Sequence, residues 1–242
     1  MKRTLLLLAL VAMVGLPAAR VTAAEGWSFE VIPYAWMVGI DADVTVGGRT
    51  ANADVGFDDI LDNFDGGAEI AGIARYQRWV LIGQFDYLGI DSDSGDDASD
   101  VVRVEMDSFI WSAAAGYQFD GFVEDSTIDV LVGARGISFD TTLSLKVGAT
   151  GDRSETVDAY DAIIMVRPAF RLSEKWRFDI PLAIGGGDSD LVYELQPEFQ
   201  YAFNEQWSGC FGYRYLHYDV EDDKGKFDGS FSGAILGVSV SW

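Results

Sequence analysis

The sequence predicts an all-β chain closed into an antiparallel, up-and-down transmembrane β-barrel of about ten strands, with eight or twelve as the other possible counts. Three observations carry this prediction. Ten segments alternate apolar and polar positions at the period of two expected of strands. Beyond the amino-terminal region, no apolar stretch approaches the roughly 18 residues that a spanning helix needs. The chain also ends in "GAILGVSVSW", without a charged group and with Trp242 last, where soluble proteins usually finish in a frayed polar tail.

The first element is not part of the barrel. Lys2 and Arg3 precede an apolar run from Leu5 to Leu16, and "RVTAAEGW" offers small residues for cleavage after Ala24. This is the pattern of a secretory signal peptide, too short and wrongly flanked for a membrane anchor. No Cys lies near the cleavage site, so no lipid anchor is expected. The expected organisation is a signal peptide over 1–24 and a single barrel domain over 25–242, because no Pro/Ser-rich linker or composition shift divides the remainder. The whole chain has 17 basic and 39 acidic side chains. Removing Lys2, Arg3 and Arg20, with no acid among residues 1–24, leaves 14 basic against 39 acidic groups and a formal charge of −25. Nucleic acid is therefore excluded as a natural partner, and anionic lipid surfaces are poor ones. Cys210 is alone, which leaves no internal disulfide and no cysteine metal site.

The strands are read, in order, over 27–40, 67–78, 79–91, 101–118, 127–140, 159–172, 176–187, 190–203, 207–219 and 230–242. Acidic, Gly-rich links such as "DSDSGDDASD" and "EDDKGKFDGS" separate some of them and carry turn chemistry. Three short links, "YQRW", "SEKW" and "NEQW", place polar residues just before Trp79, Trp176 and Trp207. Together with Trp242 these define an aromatic rim at headgroup level, with the long links on the opposite rim. The link near "GGGDSD" is short for the outer rim, and the one near "FDGFVEDS" is long for the tight-turn rim.

Strand parity separates a lipid face from a lumen. Leu191, Tyr193, Leu195, Phe199 and Tyr201 oppose Val192, Glu194, Gln196, Glu198 and Gln200. Trp176, Phe178, Ile180 and Leu182 oppose Arg177, Asp179, Pro181 and Ala183, and Val130, Val132 and Ala134 oppose Asp129, Leu131, Gly133 and Arg135. A soluble sandwich alternates as well. The strand lengths, matching the roughly 9 to 11 residues of a tilted span, favour a membrane, where only a closed sheet pairs every backbone group.

In the last segment, Ala234, Leu236, Val238, Val240 and Trp242 form one apolar row against Gly233, Gly237, Ser239 and Ser241. An alternating apolar last strand ending on an aromatic residue resembles the transmembrane β-barrel proteins of Gram-negative outer membranes, in particular their small, porin-like class. The resemblance covers the whole chain after the signal peptide, as a pattern, and its motif marks a class rather than a function. It implies a cell-envelope protein of the outer membrane, exported through the inner membrane by a cleaved signal peptide. It also implies outer-membrane lipids and lipopolysaccharide as surroundings, and a C-terminal strand ending in Trp242 as the element read by the barrel-assembly machinery. Ten strands joined by nine links put both ends of the chain on the periplasmic side, and the even count agrees with single-chain bacterial barrels.

Parity places charge of both signs in the lumen: Glu30, Glu69, Arg75, Asp86, Arg103, Glu105, Asp107, Asp129, Arg135, Arg167, Arg171, Arg177, Asp179, Glu194, Glu198 and Arg214. Eight strands enclose an interior that side chains can fill, and wide aqueous channels need about sixteen. The expected lumen is thus a narrow filter or a set of mutually neutralising pairs that plugs the barrel. In "VGFDDILDNFDGG", Phe57, Ile60, Leu61 and Phe64 fall at i, i+3, i+4 and i+7, the stripe of a short amphipathic loop helix. Such a helix either constricts the mouth or caps the loop.

The pattern points away from an enzyme. His217 is the single histidine, and with Asp219, Asp91 and Asp93 it resembles the acidic and His–Asp constellation of the omptin proteases, which are also ten-stranded. The order of His and Asp departs from that pattern, the chain is short for the family, and parity turns His217 toward the lipid interface. No Ser-containing motif of an outer-membrane phospholipase or deacylase accompanies the histidine. The acidic links could bind divalent cations and bridge through them to lipopolysaccharide phosphates, but neither "DSDSGDD" nor the run Asp219, Glu221, Asp222, Asp223 fits the EF-hand spacing. No cofactor is expected. The expected function is a narrow passive channel for small solutes or ions. The alternative is a closed structural or interaction barrel presenting acidic extracellular loops, and an omptin-like hydrolase is the weakest reading.

Overall fold

In the computed structural model, residues 26–46, 49–62, 64–94, 102–145, 151–222 and 225–242 are described. The strands are β1 (Trp27–Val46), β2 (Arg49–Val55), β3 (Phe64–Tyr76), β4 (Trp79–Ser94), β5 (Val102–Asp120), β6 (Ser126–Leu145) and β7 (Gly151–Arg171). They continue with β8 (Trp176–Asp179), β9 (Leu182–Gly187), β10 (Leu191–Leu195), β11 (Glu198–Ala202), β12 (Trp207–Asp222) and β13 (Gly225–Ser241). Among the described residues one helix, α1 (Phe57–Asp62), lies between β2 and β3.

These strands build a ten-stave barrel. β8 with β9, and β10 with β11, are each one stave interrupted at a proline, since Pro181 and Pro197 have no N–H to offer the ladder. Neighbouring groups bridge the interruptions: Ile180 N–H donates to Pro168 C=O at 2.9 Å, Gln196 N–H to Pro181 C=O at 2.9 Å and Tyr213 N–H to Pro197 C=O at 3.1 Å. Every stave is antiparallel to its neighbours, and the sheet closes where β1 pairs with β13 from Glu30↔Ser241 to Val46↔Gly225. Closure removes the free edges that a bilayer does not tolerate.

One rim carries the tight turns. Gln77 and Asp125 adopt positive φ (55° and 57°) in two of them. In the other two, a polar side chain satisfies the backbone just before the tryptophan. Ser173 Oγ accepts from Trp176 N–H at 3.2 Å, and Asn204 Oδ1 accepts from Trp207 N–H at 2.9 Å. That is the physical content of "SEKW" and "NEQW". The tryptophans begin β4, β8 and β12, and their rings pack in an aromatic belt, with Trp79 against Tyr117, Trp176 against Tyr201 and Trp242 against Phe29.

The other rim extends far beyond a bilayer. β7 has 21 residues, about 70 Å of strand at roughly 3.3 Å per residue, against a hydrocarbon core of about 30 Å. The short link over 188–190 is an exception on this rim because it folds into the wall. Ser189 is buried and donates through both N–H and Oγ to Asp161 at 2.9 and 2.8 Å.

The wall is irregular at one place. β1 pairs with β3 only up to Tyr34↔Glu69, and from Ile40↔Val55 outward its partner is β2. Residues 35–39 of β1 therefore lack a neighbour on that edge. The Glu69 carboxylate fills part of the gap by accepting from Trp36 N–H, and α1 covers it, with Ile60 buried in the core cluster. The helix is shorter than its apolar stripe. Phe64 belongs to β3, where it pairs with Ile90 across a bulge before Gly66, so the strand ladder claims the fourth stripe position. The side chains of Leu61 and Phe64 lie outside the described residues.

Candidate functional site

Among the described residues, charge of both signs gathers in the lumen, behind an apolar exterior. Val132, Ile164, Ile184, Phe211 and Leu236 are exposed on the outer face, while Asp129, Arg135, Arg167, Asp179, Glu194 and Arg214 are buried within. The inward residues form three layers.

The layer nearest the tight turns is a chain of ion pairs running from β3 through β6 and β7 to β8. Arg75 Nη2 is 3.1 Å from Asp129 Oδ2, and Arg167 Nη1 is 3.3 Å from the same oxygen. Arg167 Nη2 is 3.1 Å from Asp179 Oδ2, and Arg177 Nη2 is 2.7 Å from it. Gln118 Nε2 donates to Asp129 Oδ1 at 2.9 Å. Glu30 is satisfied separately, accepting from Gln200 Nε2 and from Ser239 Oγ.

The middle layer joins β12, β4, β10 and β6. Arg214 Nη1 is 2.8 Å from Asp86 Oδ2, its Nη2 is 3.4 Å from Glu194 Oε2, and Arg135 pairs with that same Glu194 oxygen. Tyr34 donates its hydroxyl to Asp86. The Arg214 guanidinium lies 4.2 Å from the centroid of the Trp36 ring, a cation–π contact inside the barrel. Between the two layers an enclosed cavity of about 60 Å³ is bordered by Glu194, Gln196 and Glu198. Glu198 is buried and accepts from Gln196 Nε2 at 3.2 Å.

The third layer, toward the long rim, is apolar. Trp36, Val38, Ile60, Ile110, Ile137 and Phe231 belong to one buried cluster, and Phe139 stacks on Phe231 at 5.7 Å. Beyond the middle layer the lumen is thus packed as a hydrophobic core is packed.

The structure places Glu30, Glu69, Arg75, Asp86, Asp129, Arg135, Arg167, Arg177, Asp179, Glu194, Glu198 and Arg214 on the inner side of the wall. Arg171 lines the tight-turn mouth but is exposed there. Asp107 is a correction: it points outward, is exposed and accepts from the Tyr87 hydroxyl at 2.7 Å. At that height the strand has left the hydrocarbon and its outer face meets water, so a polar residue no longer marks the inward side. The side chains of Arg103, Glu105, Asp91 and Asp93 lie outside the described residues. Tyr34, Gln118, Gln200 and Ser239 complete the network without having been singled out; being uncharged, they are marked only by their inward parity.

His217 faces outward, its ring 4.8 Å from that of Tyr193 and its Nε2 3.7 Å from Asp228 Oδ1. Beside it Lys226 Nζ is 2.9 Å from Asp219 Oδ1, and this bonding holds the ammonium above its ordinary range. Arg78, in a tight turn, is raised in the same sense by its hydrogen bonds to Asp120. Among the described residues no group of three or more His, Cys, Asp or Glu side chains has a geometry that could hold a metal ion.

No protein-family model matches the sequence, and no curated protein matches it. Solved structures do. The outer membrane protease OmpT from Escherichia coli aligns with a TM-score of 0.57 at 8% identity, over 92% of this chain and 99% of that one. Ail, the attachment invasion locus protein of Yersinia pestis, aligns with a TM-score of 0.38 at 14% identity, over 90% and 100% of the two chains. The toluene transporter TodX of Pseudomonas putida gives a TM-score of 0.34 at 12% identity, over 96% and 93%. At these identities the likeness concerns the fold alone. With its closed ten-stave sheet, its apolar exterior and a backbone path shared with OmpT over nearly the whole chain, the protein has the fold of the Gram-negative outer-membrane β-barrels.

Proposed function

We propose that the chain is a closed barrel, a structural or interaction protein that keeps its lumen shut and presents an acidic surface outside the cell. The filling of the lumen is the observation that carries this reading. Two layers of interlocked ion pairs and an apolar outer layer occupy the section through which a solute would have to pass. Opening such a path would strand buried charges, at a cost of about 3–5 kcal/mol for each broken pair.

Asp41, Asp43, Asp54, Asp58, Asp59 and Asp62 are all exposed on the long rim and supply the acidic surface. Its natural neighbours are the lipids and lipopolysaccharide of the outer leaflet, with divalent cations bridging carboxylates to phosphates. The last strand, ending in Trp242, is the element we assign to recognition by the barrel-assembly machinery. We assign no enzymatic activity, because His217 faces away from the lumen and lies against the Tyr193 ring, where a general base would find no enclosed substrate.

The second reading, a narrow passive channel, is favoured by two spaces. One is a vestibule of about 640 Å³ at the tight-turn mouth, and the other is the enclosed cavity beside Glu198. Liposome swelling separates the two readings. Liposomes carrying the refolded chain and challenged with arabinose or sodium chloride should swell no faster than empty ones. Swelling proportional to the amount of chain would support the channel and overturn the closed barrel.

A further inference from the structure

The chain is strongly acidic, yet the vestibule at its tight-turn mouth is lined by three arginines, Arg75, Arg171 and Arg177. Two of them face one another directly. Arg171 of β7 and Arg177 of β8 are Cα partners in the antiparallel ladder, an arrangement that puts like charges about 5 Å apart at Cβ and disfavours folding. Arg75 and Arg177 are each anchored on one side by a carboxylate, Asp129 and Asp179, that is itself buried behind them. Their side chains nonetheless remain partly exposed, 22% and 33% accessible. Arg171 is exposed and has no ion-pair partner among the described residues. The Glu30 carboxylate on the same wall is already engaged by Gln200 and Ser239.

We propose that this periplasmic vestibule is a phosphate-binding site. Guanidinium groups present planar pairs of N–H donors that match the oxygens of a phosphate, and an inorganic phosphate or a phosphodiester anion would relieve the Arg171–Arg177 repulsion. Arg171 supplies the free cation, while Arg75 and Arg177, held from behind, offer their remaining donors. A volume of about 640 Å³ accommodates either inorganic phosphate or the headgroup of a phospholipid from the periplasmic leaflet. The site opens on the periplasmic rim and does not depend on whether the lumen beyond it conducts.

The test uses the full chain refolded in maltoside micelles and titrated with inorganic phosphate by calorimetry. Saturable binding is expected, weakened about fivefold or more in Arg171→Ala and abolished in Arg171→Glu. Arg78→Glu changes a basic residue of the same rim that lies outside the vestibule and is paired with Asp120; it should leave binding intact. In a second arm, the chain is extracted from phosphatidylglycerol nanodiscs and its retained lipid is measured by native mass spectrometry. Binding of inorganic phosphate without retained lipid identifies a soluble ligand, whereas Arg171-dependent lipid retention identifies a headgroup. Absence of both in a barrel that is heat-modifiable on a gel would overturn the proposal. So would binding that survives Arg171→Glu, or that falls equally in Arg78→Glu.

Discussion

Arg167 and Asp179 stand 3.1 Å apart across the β7–β8 corner of the lumen, with only 4% and 1% of their side chains exposed. Because Arg167 also reaches Asp129, and Asp179 also holds Arg177, this pair joins two further ion pairs into one network. An ion pair so deep contributes little net stability compared with a well-packed apolar pair, but leaving one partner alone is costly.

Asp179→Ala therefore leaves Arg177 without its carboxylate and Arg167 with Asp129 alone, and should destabilise the barrel by about 3–5 kcal/mol. The double variant Arg167→Met with Asp179→Leu should recover most of that loss. Urea unfolding in detergent micelles measures both. Equal losses in the single and double variants would show that shape, rather than unpaired charge, dominates.

The outward row makes a second prediction. Val132 is 64% exposed, midway along the portion of β6 that crosses the lipid. Val132→Arg should cost about 2–4 kcal/mol in a bilayer. Asp158→Asn, exposed on the part of β7 beyond the lipid, should stay within about 0.5 kcal/mol. Refolding yields into liposomes compare the two.

The closing seam depends on one small residue. A Cβ on Gly233 of β13 would lie 1.9 Å from the Met37 carbonyl oxygen of β1, a clash with backbone that no rotamer relieves. Gly233→Ala should lower stability by about 3 kcal/mol, at the upper end of overpacking effects, and shift the chain toward the unclosed band on a heat-modifiability gel. A closed band of normal abundance would show that the seam can shift to admit a methyl group.

Much of this architecture is legible in the sequence wherever a strand crosses lipid. There one face must be apolar, so Val130 and Val132 against Asp129 and Arg135 fix both strand and phase. The same rule assigns the buried partners Glu194, Arg214 and Asp179 to the lumen before any contact is known. Legibility fails where the physical constraint lapses. Asp107 sits where the outer face has left the lipid and is free to be polar, and Phe64 obeys helical periodicity until its pairing with β4 takes precedence. Which arginine meets which carboxylate is not legible either, because stagger around the barrel decides it. Arg75 reaches Asp129 on a strand that is not its neighbour.

Planar-bilayer recording tests most directly whether the lumen is shut. The refolded chain should give no unitary current at any voltage. A variant with Trp36→Gly and Phe231→Gly, which removes two large side chains of the apolar layer, should begin to show brief openings. Steady unitary conductance from the unaltered chain, changed in size or ion preference by Glu194→Gln with Glu198→Gln, would contradict the closed barrel and establish the channel in its place.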